Sequence, residues 1–491
     1  MKRRATAGVW GWVAVAVPIA GPDGAPESWS DDLAAAAVLG VGEEAGDEAQ
    51  TDALVAEGVG AVVYFGSALR DPAVAAPRSA ALQRAALRSP AAQPLLIGAD
   101  QEGGRVARLP PGPASLPGAM AMGATGDTDL ARAAGRATAG QLLALGVCWD
   151  LAPVCDLGSR DNPALGSRCF AADPEVCGAF AAAFVTGLQD GGVLACAKHF
   201  PGHGDTDVDS HLGLPVLRAS RAMLGAREWV PFRHAVRAGV ATLMLGHLRV
   251  PALGPIPASL APEAYALVRE TLGFDGLAVT DALGMAGALQ AAGGDVGAAA
   301  VRALAAGADL VLVAHGPEQQ RQALAAIRSA LASGHLPRAR LNAACRRLIA
   351  VKARWRLGRG VAPDGAAAPH LLRRPSDMAL ATRIARASIS ELQAGPGPTG
   401  TPGRWTWGSR CPAALREMVR TRWPQALAVE DGDLPGVCLD GDCHLLLGPP
   451  LPSPLPSGRV LLAYDATTAS LEALCAAAVG AFTPGGRLPR P

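Results

Sequence analysis

The hydrophobic residues of this chain recur as short continuous runs, and longer alanine-rich segments separate the runs. Aliphatic and β-branched residues dominate the runs. This pattern is typical of parallel strands that are buried on both faces of a sheet. The candidate strands are residues 34–41, 60–66, 94–100, 147–153, 193–199, 241–247, 277–281 and 309–315.

The segments between the runs are long enough for crossover helices, as in residues 128–146, 173–190 and 220–238. Eight such strand and helix units predict an α/β fold of the (β/α)8 type, a TIM-like barrel. We expect the barrel to occupy residues 33–358. A basic helical stretch from 337 to 359 is expected to close it.

Three further segments are predicted outside the barrel. Residues 1–32 form a leader in which basic residues precede an apolar stretch, as in a secretory signal, but there is no clean cleavage site. This leaves export open, and a cytoplasmic location is slightly favoured. Residues 359–375 form a linker rich in Pro, Gly and Ala, and residues 376–491 a small, reduced C-terminal α/β domain.

Polar residues follow the candidate strands at their carboxyl ends. In a barrel these ends meet at one face, where active sites are built. Strand ends can be polar simply because they emerge into water. That alternative explains poorly why Asp and His occur so often at these ends. The residues are Asp100, Asp156, Lys198, His199, His247, Asp281 and His315.

The charge balance excludes some classes of function. The chain has 491 residues, with 44 basic against 43 acidic residues and a net charge of +1. It therefore lacks the uniform positive charge on which nucleic-acid binders and polybasic membrane proteins depend. After the leader, no segment offers about 18 uninterrupted apolar residues, so no internal membrane span is predicted. We expect a monomer that acts on a small molecule.

The densest group of chemically active residues lies in AKHFPGHGDTDVDSH, residues 197–211, directly after the fifth candidate strand. Asp209 precedes His211 by two residues, which lets its carboxylate hydrogen-bond the imidazole in a turn and tune its proton affinity. A metal site formed by His199, His203, His211 and the aspartates of this loop is the alternative. The Gly and Pro content argues against a helix that would align them, so we expect no metal and no cofactor.

The string KHFPGHG, followed by four residues and then DSH, resembles the signature of bacterial β-N-acetylglucosaminidases of glycoside hydrolase family 3, a group involved in cell-wall recycling. The resemblance covers residues 33 to about 358 in the family's order. It extends through DQEGGRVARL (100–109), APVCDL (152–157), SRCF around Arg168, LGHLRVP (245–251), PASL (257–260) and GFDGLAVTDALGM (273–285).

The resemblance implies a role for each matching position. Asp281 is the nucleophile, and His211, supported by Asp209, is the proton donor. An imidazole suits that role because it can act as acid and base near neutral pH. Glu102 is interpreted as a loop-building residue, and Ala282 replaces the second Asp that is common in the family. The residues expected to bind sugar are Asp100, Arg108, Arg168, Lys198 and His199.

The expected activity is that of a retaining exo-β-N-acetylglucosaminidase acting on muropeptides or chitooligosaccharides. Phosphorolysis is an alternative, because a His in place of an anionic Glu would not repel phosphate, and a broader β-glycosidase is another. A non-catalytic sugar-binding barrel is disfavoured because Asp281, Asp209 and His211 are all present. For Asp281 itself, capping of the following helix is the structural alternative.

Overall fold

The structure is a computed structural model that describes residues 26–112, 114–159, 162, 165–206, 213–355 and 365–393, together with parts of the C-terminal region. The predicted leader up to residue 25 lies outside the described residues, and so do Asp209 and His211. The described C-terminal parts are 404–407, 415, 418–419, 427–430, 437–439, 443–447, 459–464, 467–478, 484 and 486.

Eight parallel strands close into a barrel in sequence order, with the last strand paired to the first. All eight overlap the predicted runs, and the (β/α)8 fold is confirmed. The strands are β1 (Leu39–Glu43), β2 (Ala61–Tyr64), β3 (Leu96–Ala99), β4 (Trp149–Asp150), β5 (Leu194–Phe200), β6 (Thr242–Leu245), β7 (Leu277–Ala282) and β8 (Leu310–Val313).

Helices surround the barrel and shield the strands from water, which is why the strands carry hydrophobic residues on both faces. The helices are α1 (Asp31–Ala37), α2 (Glu48–Glu57), α3 (Pro72–Arg88), α4 (Ala119–Thr125), α5 (Thr128–Ala144), α6 (Pro174–Asp190), α7 (Arg221–Ala226), α8 (Trp229–Arg237), α9 (Pro262–Ala266), α10 (Ala286–Ala291), α11 (Val296–Ala306), α12 (Pro317–Ala332) and α13 (Arg338–Arg354).

The first predicted strand begins too early, because residues 34–37 belong to α1. The side chain of Ser30 accepts a hydrogen bond from the backbone N–H of Leu33 at 3.2 Å and so caps this helix. Two aspartates in the first turn and a run of alanines favour the helix further. A hydrophobic run alone does not distinguish a buried helix from a buried strand.

The predicted helix over 220–238 is in fact two helices, α7 and α8. Pro231 lies in the first turn of α8, where a residue without a backbone N–H is tolerated. In one continuous helix Pro231 would lie in the interior and remove a hydrogen bond to the preceding turn. The break before α8 therefore follows from the position of Pro231.

In the described part of the C-terminal region, six strands form one sheet. This agrees with the predicted small α/β domain. Leu462 and Tyr464 of this region cluster with Ala121 and Ala124 of α4. The elements are α14 (Ala368–Leu371), α15 (Pro375–Ser388), β9 (Ser390–Gln393), β10 (Arg404–Trp407), β11 (Leu427–Glu430), β12 (Val437–Leu439), β13 (Cys443–Leu447), β14 (Arg459–Ala463) and α16 (Thr468–Ala478). The strand order in the sheet is β11-β10-β12-β13-β14-β9.

Within the described ranges, no helix is both long enough and apolar enough to cross a membrane. The division of the chain at residues 33, 358 and 375 stays a prediction.

Candidate active site

The carboxyl ends of the barrel strands surround a cavity of about 660 Å³. The structure brings six of the eight predicted site residues together in its lining, although they are distant in sequence. The other two, Asp209 and His211, lie outside the described residues. The six are Asp100, Arg108, Arg168, Lys198, His199 and Asp281.

Four charged side chains form a continuous network on one side of this cavity. The ammonium nitrogen of Lys198 lies 2.7 Å from Oδ1 of Asp100 and 2.7 Å from Oε1 of Glu102. Arg168 donates from Nε and Nη2 to the two carboxylate oxygens of Glu102, each at 2.8 Å. Glu102, interpreted from the sequence as a loop-building residue, therefore holds two of the predicted sugar-binding cations.

This network keeps Glu102 and Lys198 ionised. Burial alone would raise the pKa of Glu102, but the positive charges of Arg168 and Lys198 outweigh it and hold that pKa well below its usual range. Burial likewise opposes the charge of Lys198, yet Asp100 and Glu102 raise its pKa above the usual value. The cavity thus presents fixed donors and acceptors of opposite charge, a combination that suits the hydroxyl groups of a sugar.

Arg108 completes the wall beside Asp100. Its Nη2 atom lies 3.8 Å from Oδ2 of Asp100, and about a third of its side chain is exposed to the cavity. The side chain of Gln101 accepts hydrogen bonds from the backbone N–H groups of Arg108 and Leu109, at 2.8 and 3.0 Å. Gln101 therefore fixes the loop that carries the arginine.

His199 is held by Asp156, a residue from the segment that follows β4. Its Nδ1 atom lies 2.7 Å from Oδ2 of Asp156, and Oδ1 of the same carboxylate accepts from the backbone N–H of His203 at 2.7 Å. Burial tends to raise the pKa of Asp156, but His199 and His203 lower it on balance. Asp156 thus fixes both the ring and the chain around it, which orients the other ring nitrogen of His199.

The carboxylate of Asp281 stands at the end of β7 and lines the cavity. Its Oδ1 atom accepts a hydrogen bond from the backbone N–H of Ala282 at 2.8 Å. Burial opposes its ionisation, but His199, His247 and the Ala282 N–H outweigh burial and lower its pKa below the usual value. Asp281 is therefore an ionised carboxylate on a rigid element.

Asp281 does not cap the following helix, which was the structural alternative for this residue. Helix α10 begins at Ala286, its N-cap position is Met285, and no side chain caps it. The hydrogen bond from Ala282 is local to the strand end. The carboxylate is thus not engaged in helix capping.

His247 supports the backbone beside Asp281. Its Nε2 atom lies 2.9 Å from the carbonyl oxygen of Ala282, and its Nδ1 atom lies 2.7 Å from the hydroxyl of Ser259. The side chain is completely buried. The sequence indicates His247 only as a polar strand end, because its partner Ser259 becomes a neighbour only through the loop that follows β6.

In the part of the chain that the structure describes, no group of three or more His, Cys, Asp or Glu side chains is arranged to hold a metal ion. The predicted strand-end residue His315 lies at the exposed rim of the cavity. Its Nδ1 atom is 3.0 Å from Oε1 of Glu44, and its ring centroid is 4.8 Å from that of Phe65.

Active sites of (β/α)8-barrel enzymes lie at the carboxyl ends of the strands. A cavity at that position, lined by ion-paired carboxylates and cations, indicates an enzyme that binds a polar, hydroxyl-rich substrate. The chain belongs to glycosyl hydrolase family 3, because residues 32–351 match the model of the family's N terminal domain. The protein is therefore a glycoside hydrolase.

Two similar proteins agree with this assignment, and a third shares the fold. A beta-hexosaminidase of Thiobacillus denitrificans is 39% identical over 274 residues, which cover 54% of this chain and 74% of the relative. The structure of a family 3 beta-N-acetylglucosaminidase from Paenibacillus matches with a TM-score of 0.82 and 29% identity, over 94% of this chain and 99% of that chain. A beta-glucoside phosphorylase shares the fold, with a TM-score of 0.81 and 21% identity, over 96% of each chain.

Proposed function

We propose that the protein is a retaining exo-β-N-acetylglucosaminidase, which removes terminal β-linked N-acetylglucosamine from muropeptides or chitooligosaccharides in peptidoglycan recycling. The observation that carries the proposal is the position of Asp281, whose ionised carboxylate ends β7 inside the cavity. The hydrolase names of the Thiobacillus and Paenibacillus proteins support an N-acetylhexosaminide as the substrate.

The non-reducing sugar would lie between Asp281 and the network around Asp100. Strands β3 and β7 are four positions apart in the closed order of eight, so they lie on opposite sides of the barrel. Asp100 follows β3 and Asp281 ends β7. A sugar whose anomeric carbon faces Asp281 therefore extends its hydroxyl groups towards Asp100, Arg108 and Lys198.

The first chemical step is attack by an oxygen of Asp281 on the anomeric carbon, which displaces the leaving-group oxygen and forms a glycosyl ester. Water then attacks the same carbon and releases the carboxylate, so the configuration is retained. The lowered pKa of Asp281 supports this role because the nucleophile must be ionised.

Proton transfer is assigned to His211 and Asp209 on the strength of the sequence resemblance. His211 protonates the departing oxygen in the first step and takes a proton from water in the second. Asp209 orients the imidazole and stabilises its charged form. His199, whose Nδ1 atom lies 2.7 Å from Asp156, keeps the sugar-binding role that the resemblance implies.

The proposal is tested with purified protein on a panel of aryl β-glycosides, namely the N-acetylglucosaminide, N-acetylgalactosaminide, glucoside and xyloside. Preference for the N-acetylglucosaminide supports the proposal, and preference for the glucoside contradicts the substrate assignment. The same reaction run with and without inorganic phosphate separates hydrolysis from phosphorolysis. Release of N-acetylglucosamine 1-phosphate as the main product would overturn hydrolysis as the activity.

A further inference from the structure

The buried residue Asn162 joins two segments of the cavity wall, although it does not line the cavity itself. One segment follows β5 directly and comprises residues 201–206, which we call the β5 loop. The other comprises residues 165–168, which we call the Arg168 turn. Each segment contributes a residue to the lining, His203 from the β5 loop and Arg168 from the Arg168 turn. Asn162 therefore lies behind the wall of the site.

The amide nitrogen of Asn162 binds the β5 loop. It donates to the carbonyl oxygen of His203 at 2.7 Å, and it lies 3.3 Å from both the carbonyl oxygen of Gly204 and Oγ1 of Thr206. Oγ1 of Thr206 in turn donates to the carbonyl oxygen of His203 at 2.9 Å and lies 2.7 Å from Nδ1 of the same residue. These groups are buried, and a satisfied hydrogen-bond network in a buried position makes the loop rigid.

The oxygens of Asn162 bind the Arg168 turn. Oδ1 accepts a hydrogen bond from the backbone N–H of Leu165 at 3.1 Å, and the backbone carbonyl oxygen accepts from the N–H of Gly166 at 3.1 Å. This turn ends at Arg168, which pairs with Glu102. Since Asn162 holds both segments, the position of each depends on the other.

The β5 loop leads along the chain to the proposed proton donor. Thr206 precedes Asp209 by three residues and His211 by five. Five residues span at most about 18 Å, so the position of Thr206 limits where the donor can act. The loop is also packed tightly at Gly204, where a Cβ atom would lie 2.1 Å from the carbonyl oxygen of Leu157. Asn162 thus fixes a segment that has little room to shift.

We infer that Asn162 is a positioning residue, which holds the loop of the proton donor in a fixed place relative to the sugar-binding Arg168 turn. This inference rests on the proposed function, because it takes His211 as the donor. Asn162 itself contacts no reacting atom. Loss of its amide donor should therefore impair protonation of the leaving group more than it impairs attack by Asp281.

The test variant is Asn162→Asp, which keeps the size of the side chain and the oxygen that accepts from Leu165. It replaces the nitrogen that binds the β5 loop by an oxygen, which repels the carbonyl oxygens there. On the disaccharide N-acetylglucosaminyl-β-1,4-N-acetylglucosamine, kcat/KM should fall by about 30-fold, since a small misplacement of a catalytic group is costly. On dinitrophenyl β-N-acetylglucosaminide, whose leaving group needs no protonation, kcat/KM should fall by less than about threefold.

Thr206→Val is the second variant, and it decides the question if Asn162→Asp does not fold. It keeps the shape of the side chain and removes one oxygen that the amide of Asn162 contacts. We expect a smaller loss of the same kind, again greater on the disaccharide than on the dinitrophenyl glycoside. A variant that is merely less stable would lose the same factor on both substrates.

Gln189→Glu is the matched control. The amide of Gln189 also donates to a backbone carbonyl, that of Gly239 at 2.9 Å, and accepts from a backbone N–H, that of Ala241 at 2.8 Å. It lies before the start of β6 and does not line the cavity. This variant should lose stability in thermal unfolding and leave the ratio of the two kcat/KM values unchanged.

Equal losses on both substrates in Asn162→Asp and Thr206→Val, or no loss at all, would overturn the inference and leave the proposed function intact. If the wild-type protein cleaves neither the disaccharide nor the dinitrophenyl glycoside, the proposed function itself fails.

Discussion

The ammonium nitrogen of Lys198 lies 2.7 Å from Oδ1 of Asp100, and only 2% of the lysine side chain is exposed. Lys198→Met would remove a positive charge that stabilises the carboxylates of Asp100 and Glu102. We expect a loss of about 3 kcal/mol in the free energy of unfolding, the usual cost of breaking a buried pair. Urea unfolding followed by circular dichroism measures this loss. A change below about 1 kcal/mol would contradict the claim that the network stabilises the fold.

Glu102→Gln should damage activity although Glu102 is not expected to touch the reacting atoms. It removes the charge that positions Arg168 and Lys198, so kcat/KM should fall by about 10- to 100-fold. Glu57→Gln is the matched control, because Glu57 also pairs with two arginines, Arg321 and Arg328, but away from the cavity.

The two variants are compared by kinetics on an aryl N-acetylglucosaminide together with thermal unfolding. Glu57→Gln should lose some stability and retain its kcat/KM. Equal kinetic losses in both variants would mean that the effect of Glu102→Gln comes from general destabilisation.

The lowered pKa values of Glu102 and Asp156 predict how stability depends on pH. Each carboxyl binds its proton more readily in the unfolded chain, where its pKa is about 4. Their stabilisation is therefore complete above about pH 5 and is lost as the pH falls through the folded pKa values. Urea unfolding between pH 2 and 7 should show this loss. Glu102→Gln should flatten the curve, and an unchanged slope would contradict the assignment.

Much of the fold was predictable from sequence because the barrel strands have a strong local signal. Each strand overlaps one of the eight predicted hydrophobic runs. The boundaries of the elements were less predictable. Residues 34–37 fit a strand pattern but belong to helix α1, which the side chain of Ser30 caps. The break before α8 could have been predicted from the position of Pro231, but not from the helical pattern of residues 220–238 as a whole.

The candidate site was predictable only in part. Asp100, Lys198 and Asp281 could be found because each lies at or near the carboxyl end of a predicted hydrophobic run. The pairing of His199 with Asp156 joins residues 43 positions apart and depends on the contact between segments after β4 and β5. The role of Glu102 likewise depends on a fold that brings Arg168 and Lys198 to the same carboxylate.

His211 is expected to matter most when the leaving group is poor. His211→Ala should lower kcat/KM by about 100-fold or more on a disaccharide, and much less on an activated aryl glycoside whose leaving group needs no protonation. Asp209→Ala should produce a similar but weaker pattern. Equal losses on both kinds of substrate would contradict the role of His211 as proton donor.

Replacing one carboxylate oxygen of Asp281 by an amide group removes the proposed nucleophile. Asp281→Asn keeps the size of the side chain and should fold as the wild type does, while activity falls by roughly three or more orders of magnitude. Asp295→Asn is the matched control, because Asp295 caps α11 and lies away from the cavity lining. That variant should keep its activity.

The central claim is tested by covalent labelling of the wild-type protein with a mechanism-based fluoroglycoside, followed by peptide mass spectrometry. The account predicts a single glycosyl ester on Asp281, and none in Asp281→Asn. A label on any other carboxylate of the folded, active protein would contradict it.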